Sequence, residues 1–197
     1  MNVGTKSLLI GVHQFIWHPI TVLLAWIELY GLPNWKELVC IIIHDLGYYG
    51  CSNMDGPEGE KHPEYAAYLA WKYLDEKQDI YDAFSILSTQ IPKGPVKNSL
   101  WYLCLFHSRH YARSKNTEPS KLCWADKLSI KYDPWWFYLP RAWLSGELFE
   151  YRKLHASMGE DFKTHRDWYN WAAGRAIQMG KQQNSGNISF HPQQEVR

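Results

Sequence analysis

The stretch Leu38-Val39-Cys40-Ile41-Ile42-Ile43-His44-Asp45-Leu46-Gly47 decides how the chain is read. The apolar run Leu38–Ile43 falls well short of the ~20 residues that a membrane span needs. Leu38, Val39, Ile42 and Ile43 recur at helical spacing, so the run is expected as an apolar, buried helix. It ends on an imidazole and a carboxylate side by side. An aspartate at a helix C-terminus opposes the partial negative charge of the last carbonyls, so Asp45 at that place asks for a cation.

Working outward, Ile20, Leu23, Leu24 and Ile27 follow i, i+3, i+4, i+7 and mark one face of a preceding helix. Gly31 suits its end, and Pro33 suits the first turn of the next helix. Downstream, Gly47, Gly50, Gly56, Pro57 and Gly59 mark a loop, and Pro63 suits the start of a helix over about 64–76. Further helices are expected over about 81–90 and, after the Pro92-Lys93-Gly94-Pro95 turn, over about 97–113. Thr117-Glu118-Pro119-Ser120 reads as the start of a helix over Lys121–Lys131. Asp133-Pro134 opens a helical aromatic segment bent or interrupted at Pro140, and Glu160–Met179 reads as a last helix stopped by Gly180. No alternating strand run of useful length is present. The fold class is therefore all-α, a compact helical bundle, with one domain over 1–180 and a Gln/Asn/Ser-rich tail over 181–197 expected to be disordered.

The bulk counts bound the function. The 197 residues carry 21 Lys+Arg against 20 Asp+Glu, a formal charge of +1. That balance argues against binding long nucleic acids, which calls for a surplus of basic residues on one face. Cys40, Cys51, Cys104 and Cys123 form no Cys-x-x-Cys pair, and three lie in apolar stretches, so free thiols and a reducing cytoplasm are expected. The apolar run Leu8–Val12 is too short for a signal peptide. Eleven tryptophans stand out, and the cluster Trp135-Trp136-Phe137-Tyr138 is expected to pack on the domain rather than to bind a membrane or a base.

Nine histidines are also present. His18 lies near the start of the first long helix, His44-Asp45 at the end of the next and His62 at a helix N-terminus. His107 and His110 lie inside a helix, and Asp126 inside the one after. A helical bundle can bring such dispersed residues to one interior point. Neutral imidazole and carboxylate hold divalent metals and leave positions open for water and substrate. His110 shares a face with His107 and is a candidate proton donor. Arg109 and Arg113 are four apart and grip phosphate or form a solvated face. Lys61 and Lys127 reach a phosphate or stay at the surface, and the loop bearing Asp55, Glu58 and Glu60 forms a lid or rim. His13, His155, His165 and His191 fall outside the pattern.

The order His…His-Asp…His…His…Asp resembles the HD superfamily of metal-dependent phosphohydrolases over about residues 8–132. The likeness is densest at Ile41–Gly47 and Cys123–Leu128. The chain also resembles short bacterial and phage HD proteins of unassigned activity, and the spacing of His107 and Asp126 is similar to short HD hydrolases that cleave diadenosine tetraphosphate. The resemblance implies that His18, His44, Asp45 and Asp126 hold a first metal. Asp45 would bridge to a second, held by His62 with His107 or His110. It implies a hydroxide between two metals attacking phosphorus in a nucleotide or related phosphoester, with Asp45 at the chemistry. Beside it, His110 is the candidate for protonating the leaving oxygen, and Arg109 and Lys127 for stabilising equatorial charge. Fe, Mn, Co, Ni or Zn would fit such donors.

Departures narrow the choice. No Gly-Tyr-Pro follows the paired histidines, unlike HD-GYP cyclic di-nucleotide phosphodiesterases. Leu46-Gly47-Tyr48-Tyr49 replaces the Glu-Asp of alarmone hydrolases. Tyr48 stands where many HD enzymes carry a lysine. Inositol oxygenase resembles this ligand set and uses it for di-iron oxygen chemistry, so an oxygenase stays open beside a non-catalytic nucleotide-binding module.

Overall fold

The computed structural model describes residues 1–75, 99–157, 159 and 162–184. The helix expected over 81–90, the turn at 92–95 and the tail from 185 onward lie outside the described residues, as does His191. Within them every regular element is helical: α1 (Val3–Ile10), α2 (Trp17–Tyr30), α3 (Trp35–Ile43), α4 (His62–Tyr73), α5 (Leu100–Leu105), α6 (Arg109–Ser114), α7 (Lys121–Leu128), α8 (Trp135–Ser145), α9 (Glu147–Ser157) and α10 (His165–Asn184). Short 3-10 turns occupy Leu46–Tyr48, Gly59–Lys61 and Ser129–Tyr132.

Local chemistry explains several boundaries. Gly31 ends α2 at φ +81°, a left-handed conformation costly for other residues. Asn34 then caps α3 by accepting from the Lys36 and Glu37 amides, while Glu37 accepts from the Asn34 amide. Pro33 thus precedes the cap instead of lying in the first turn.

Five expectations are corrected. The stripe Ile20, Leu24, Ile27 is more than a third exposed, and α2 buries His18, Thr21, Val22, Ala25 and Trp26 instead. A helix that is apolar nearly all round offers several stripes, and the inward one here is set by His18 and by small residues that let α7 approach. Likewise α3 buries only Cys40 and Ile41, with Leu38 and Ile42 exposed. The helix expected over 97–113 is broken at Phe106–Ser108, where the Ser108 side chain restarts it by accepting from the Tyr111 amide. Gly180 does not stop α10, which runs on to Asn184. A Cβ at Gly180 would stand 3.1 Å from Leu128, so this glycine serves close packing of α10 on α7. The aromatic segment from Trp135 is continuous through Pro140 and divides at Gly146, which sits at φ +93°.

Two cores flank the centre of the bundle. The larger joins Val22 and Trp26 of α2, Cys40 and Ile41 of α3, Ala66, Ala67 and Ala70 of α4, and Leu103–Phe106. The alanines of α4 let α5 lie close against it. The smaller core joins Val12, Tyr138, Ala142, Leu148, Trp168 and Tyr169. No helix among the described residues is long and apolar enough to cross a membrane.

Candidate metal centre

Helix ends and breaks deliver the polar groups that meet between the cores. His18 enters from the first turn of α2, His44 and Asp45 from the end of α3, His62 from the start of α4. His107 enters from the break between α5 and α6, and Asp126 from inside α7. Near helix ends the backbone can turn a side chain inward without displacing packed apolar residues. His18, His44, Asp45, His62 and His107 are buried, at 7% exposure or less.

The six side chains converge as two groups. One donor atom each from His18, His44, Asp45 and Asp126 lie within 4.8 Å of one another, and so do those of Asp45, His62 and His107. Asp45 belongs to both. Its Oδ2 faces His18 Nε2 at 3.1 Å and His44 Nε2 at 3.2 Å, while its Oδ1 faces His107 Nε2 at 3.4 Å and His62 Nε2 at 3.6 Å. Asp126 Oδ1 lies 3.2 Å from His18 Nε2.

Three rings are aimed by their own segments. His44, His62 and His107 each donate from Nδ1 to the carbonyl three residues before, at Ile41, Gly59 and Cys104, over 2.7, 2.6 and 2.5 Å. A carbonyl only accepts, so each Nδ1 carries a hydrogen and each ring turns its Nε2 to the centre, as a lone pair wherever the ring is neutral. His62 Nε2 and His107 Nε2 then face each other at 2.9 Å as two lone pairs. Such a contact is repulsive unless a proton or a cation lies between them. His18 Nε2, His44 Nε2 and Asp45 Oδ2 are buried without a hydrogen-bond partner among the described residues. Buried polar atoms left this way are costly, and every one of them points to the same spot. The donor chemistry fits divalent cations: His18, His44, Asp45 and Asp126 could hold one, and Asp45, His62 and His107 another.

Charge within the cluster is balanced internally. Burial alone would raise Asp45 and Asp126, but the histidines around Asp45, and Lys127 with His18 and His44 around Asp126, hold both well below the usual carboxylate range. Burial would lower His44, yet Asp45 and Asp126 push it up to about 10. Burial and the neighbouring His107 push His62 down. In the metal-free protein His44 thus holds a proton at neutral pH. Its folded value lies above the unfolded one, so it stabilises the metal-free fold below about pH 6.5 and that contribution is lost as pH rises toward about 10. Metal uptake should displace the proton. Titration calorimetry of Mn²⁺ into metal-free protein at pH 7, repeated in buffers of different ionisation enthalpy, should read about one proton released. Affinity should rise with pH, and a pH-independent affinity would contradict the assignment.

The remaining proposed residues separate clearly. Arg109, Lys127, Arg113 and His110 line the cavity over the cluster. His110 is 45% exposed and pairs with Glu60 at 3.0 Å, and the helix break turns it away from His107. The two histidines therefore do not share a helix face. Lys127 pairs with Asp126 at 3.2 Å. Lys61 is exposed and is not part of the cavity wall. Met54, Asp55 and Glu60 make the Gly-rich loop a rim, while Glu58 instead accepts from the Ser52 amide and hydroxyl within the loop. Tyr48 stacks on His62 with ring centroids 3.8 Å apart. Trp135, Trp136 and Trp143 are at least 40% exposed and do not line the cavity, so of the cluster Trp135–Tyr138 only Tyr138 is buried.

Gly47 holds the ligand segments together. A Cβ there would lie 2.0 Å from the His62 carbonyl oxygen and 2.8 Å from its Cα. Gly47→Ala should cost ~1–3 kcal/mol and lower metal stoichiometry, read by thermal melting and elemental analysis.

The His13–Glu147 pair has no counterpart among the expected ligands. Glu147 is fully buried and accepts from Ser7 Oγ at 2.6 Å, the Val12 amide at 2.9 Å, His13 Nδ1 at 2.7 Å, the Ser145 hydroxyl and Tyr151 OH at 3.3 Å. Gly11 leaves room for it, since a Cβ there would meet Glu147 Oε2 at 2.3 Å. The His13 ring packs edge-on to His18 and lines the cavity.

No known family model, curated protein or solved structure matches the chain.

Proposed function

We propose that the chain is a metal-dependent phosphohydrolase or phosphodiesterase of the HD type, acting in the cytoplasm on a nucleotide or related phosphoester. The observation that carries this reading is the 2.9 Å approach of His62 Nε2 to His107 Nε2 beside an Asp45 carboxylate shared by both donor groups. Two divalent ions held there would supply Lewis acidity and lower the pKa of a bound water toward neutrality.

The chain's own residues support the rest. Asp45, shared by both donor groups, fixes them relative to each other, and Asp126 completes the first. Arg109 and Lys127, at the mouth of the centre, can accept equatorial phosphoryl charge, with Arg113 further along the same wall. His110 stands on that wall with an ionic partner in Glu60 and is the candidate proton donor to the leaving oxygen. In the hydrolysis the water oxygen bonds to phosphorus and the P–O bond to the organic group breaks. A proton originating from the water ends on the leaving oxygen.

Elemental analysis of native protein, followed by phosphate-release assays with Mn²⁺ and Fe²⁺ across nucleotide classes, tests this. Bound metal and phosphate release that persists without O₂ are expected. Turnover that requires O₂ and releases no phosphate would favour the oxygenase, and protein with neither metal nor turnover would favour a binding module.

A further inference from the structure

The cavity over the metal centre has two lobes that share His13, Tyr48, Asp55, Arg109, Asp126 and Lys127. The larger, about 530 Å³, is walled by His62, His107, His110, Arg113 and the Gly-rich loop. The smaller, about 310 Å³, runs between α9 and α10, and its wall carries Tyr138, Tyr151, His155, Trp168 and Trp171. We propose that this smaller lobe holds a flat aromatic group of the substrate, joined to the phosphoryl group that lies at the six-donor centre. The inference rests on the phosphohydrolase reading and assigns which part of the ester goes where.

Three observations carry it. First, beside the charged side chains that both lobes share, the smaller lobe adds Tyr138, Tyr151, His155, Trp168 and Trp171, which the larger lacks. Second, the rings are already fixed against one another. Tyr151 stacks on Trp168 at 5.6 Å and 7°, His155 meets Trp171 edge-on at 4.5 Å and 75°, and Arg175 lies 5.3 Å from the Trp171 ring centre. A platform immobilised by its own packing binds a flat group with little further loss of side-chain freedom. Third, Arg109 and Lys127 stand at the junction of the lobes, where the phosphoryl end of such a ligand would lie. A volume of about 310 Å³ is at the low end for small-molecule sites and suits one ring system.

Trp171 is the residue to change, because it is half-buried and takes no part in the cluster or in the Glu147 network. Binding of adenosine 5′-monophosphate and of ribose 5-phosphate to the Mn²⁺-loaded protein compares a ligand with the ring to one without it. The ring should improve Kd by ~10-fold. Trp171→Ala should remove that advantage and leave the ribose 5-phosphate Kd unchanged, and Trp171→Phe should restore most of it. Equal affinity of the two ligands for the native protein overturns the proposal, as does a ring preference that survives in a folded Trp171→Ala, checked by circular dichroism. Phosphate release with equal kcat/KM from both esters overturns the aromatic subsite and leaves the hydrolase reading standing. Ring-dependent binding without any phosphate release supports the subsite and overturns the hydrolase reading.

Discussion

Asp45→Ala should abolish metal occupancy in both donor groups and lower phosphate release by at least ~1,000-fold. The reason is geometric. Each carboxylate oxygen serves a different group, Oδ2 toward His18 and His44, Oδ1 toward His62 and His107. No other side chain among the described residues belongs to both. Asp126→Ala removes a member of one group only, so it should leave the His62–His107 side able to take a single ion. Metal-to-protein ratios of near zero for Asp45→Ala and near one for Asp126→Ala are expected by elemental analysis. A full complement of metal with retained hydrolysis in Asp45→Ala would refute the bridging role.

Glu147→Ala should be the most destabilising single change outside the metal centre. The carboxylate is fully buried and satisfied by donors from α1, the following turn, α8 and α9. Burial would push its pKa up, but the hydrogen bonds from His13, Ser145 and Ser7 hold it down. Deleting it strands those donors and leaves a cavity. The expected loss is ~3 kcal/mol. At ~2–4 °C per kcal/mol for a chain of this size, Tm should fall by roughly 6–12 °C. Glu147→Gln keeps the volume and most acceptor positions at one oxygen, so its loss should be smaller. Its folded pKa lies below the unfolded one, so the stability it contributes is present above about pH 4.5 and lost as pH falls through the lower folded value. An acid melt of native protein compared with Glu147→Gln reads that difference, and coincident acid transitions would count against it.

The six convergent donors were legible in the sequence because ligand chemistry restricts residue type, and helix ends can be read from Gly and Pro near His18, His44 and His62. The all-helical architecture was legible for the same reason of periodicity. Other features depended on packing that one sequence does not display. His13 and Glu147 are 134 residues apart and follow no spacing rule. A His at residue 13 and an acid after Gly146 were the only traces they left. Trp168 and Trp171 sit three apart on α10 and look like any core stripe. The outward turn of Ile20, Leu24 and Ile27 shows that periodicity finds a face without saying which way it points. The break that separates His107 from His110 carried a weak sign in Ser108, a residue that favours a helix start.

The backbone carbonyls behind His44, His62 and His107 have an electrostatic consequence. Had carboxylates stood there, each imidazole would bring a negative charge to its own back. As built, the six donors contribute only the two charges of Asp45 and Asp126. A pair of dications would therefore keep a surplus of two positive charges inside a low-dielectric recess, on a chain whose formal total is +1. An anion approaching the protein would be steered by that recess rather than by the surface at large, and the association rate should fall as ionic strength rises.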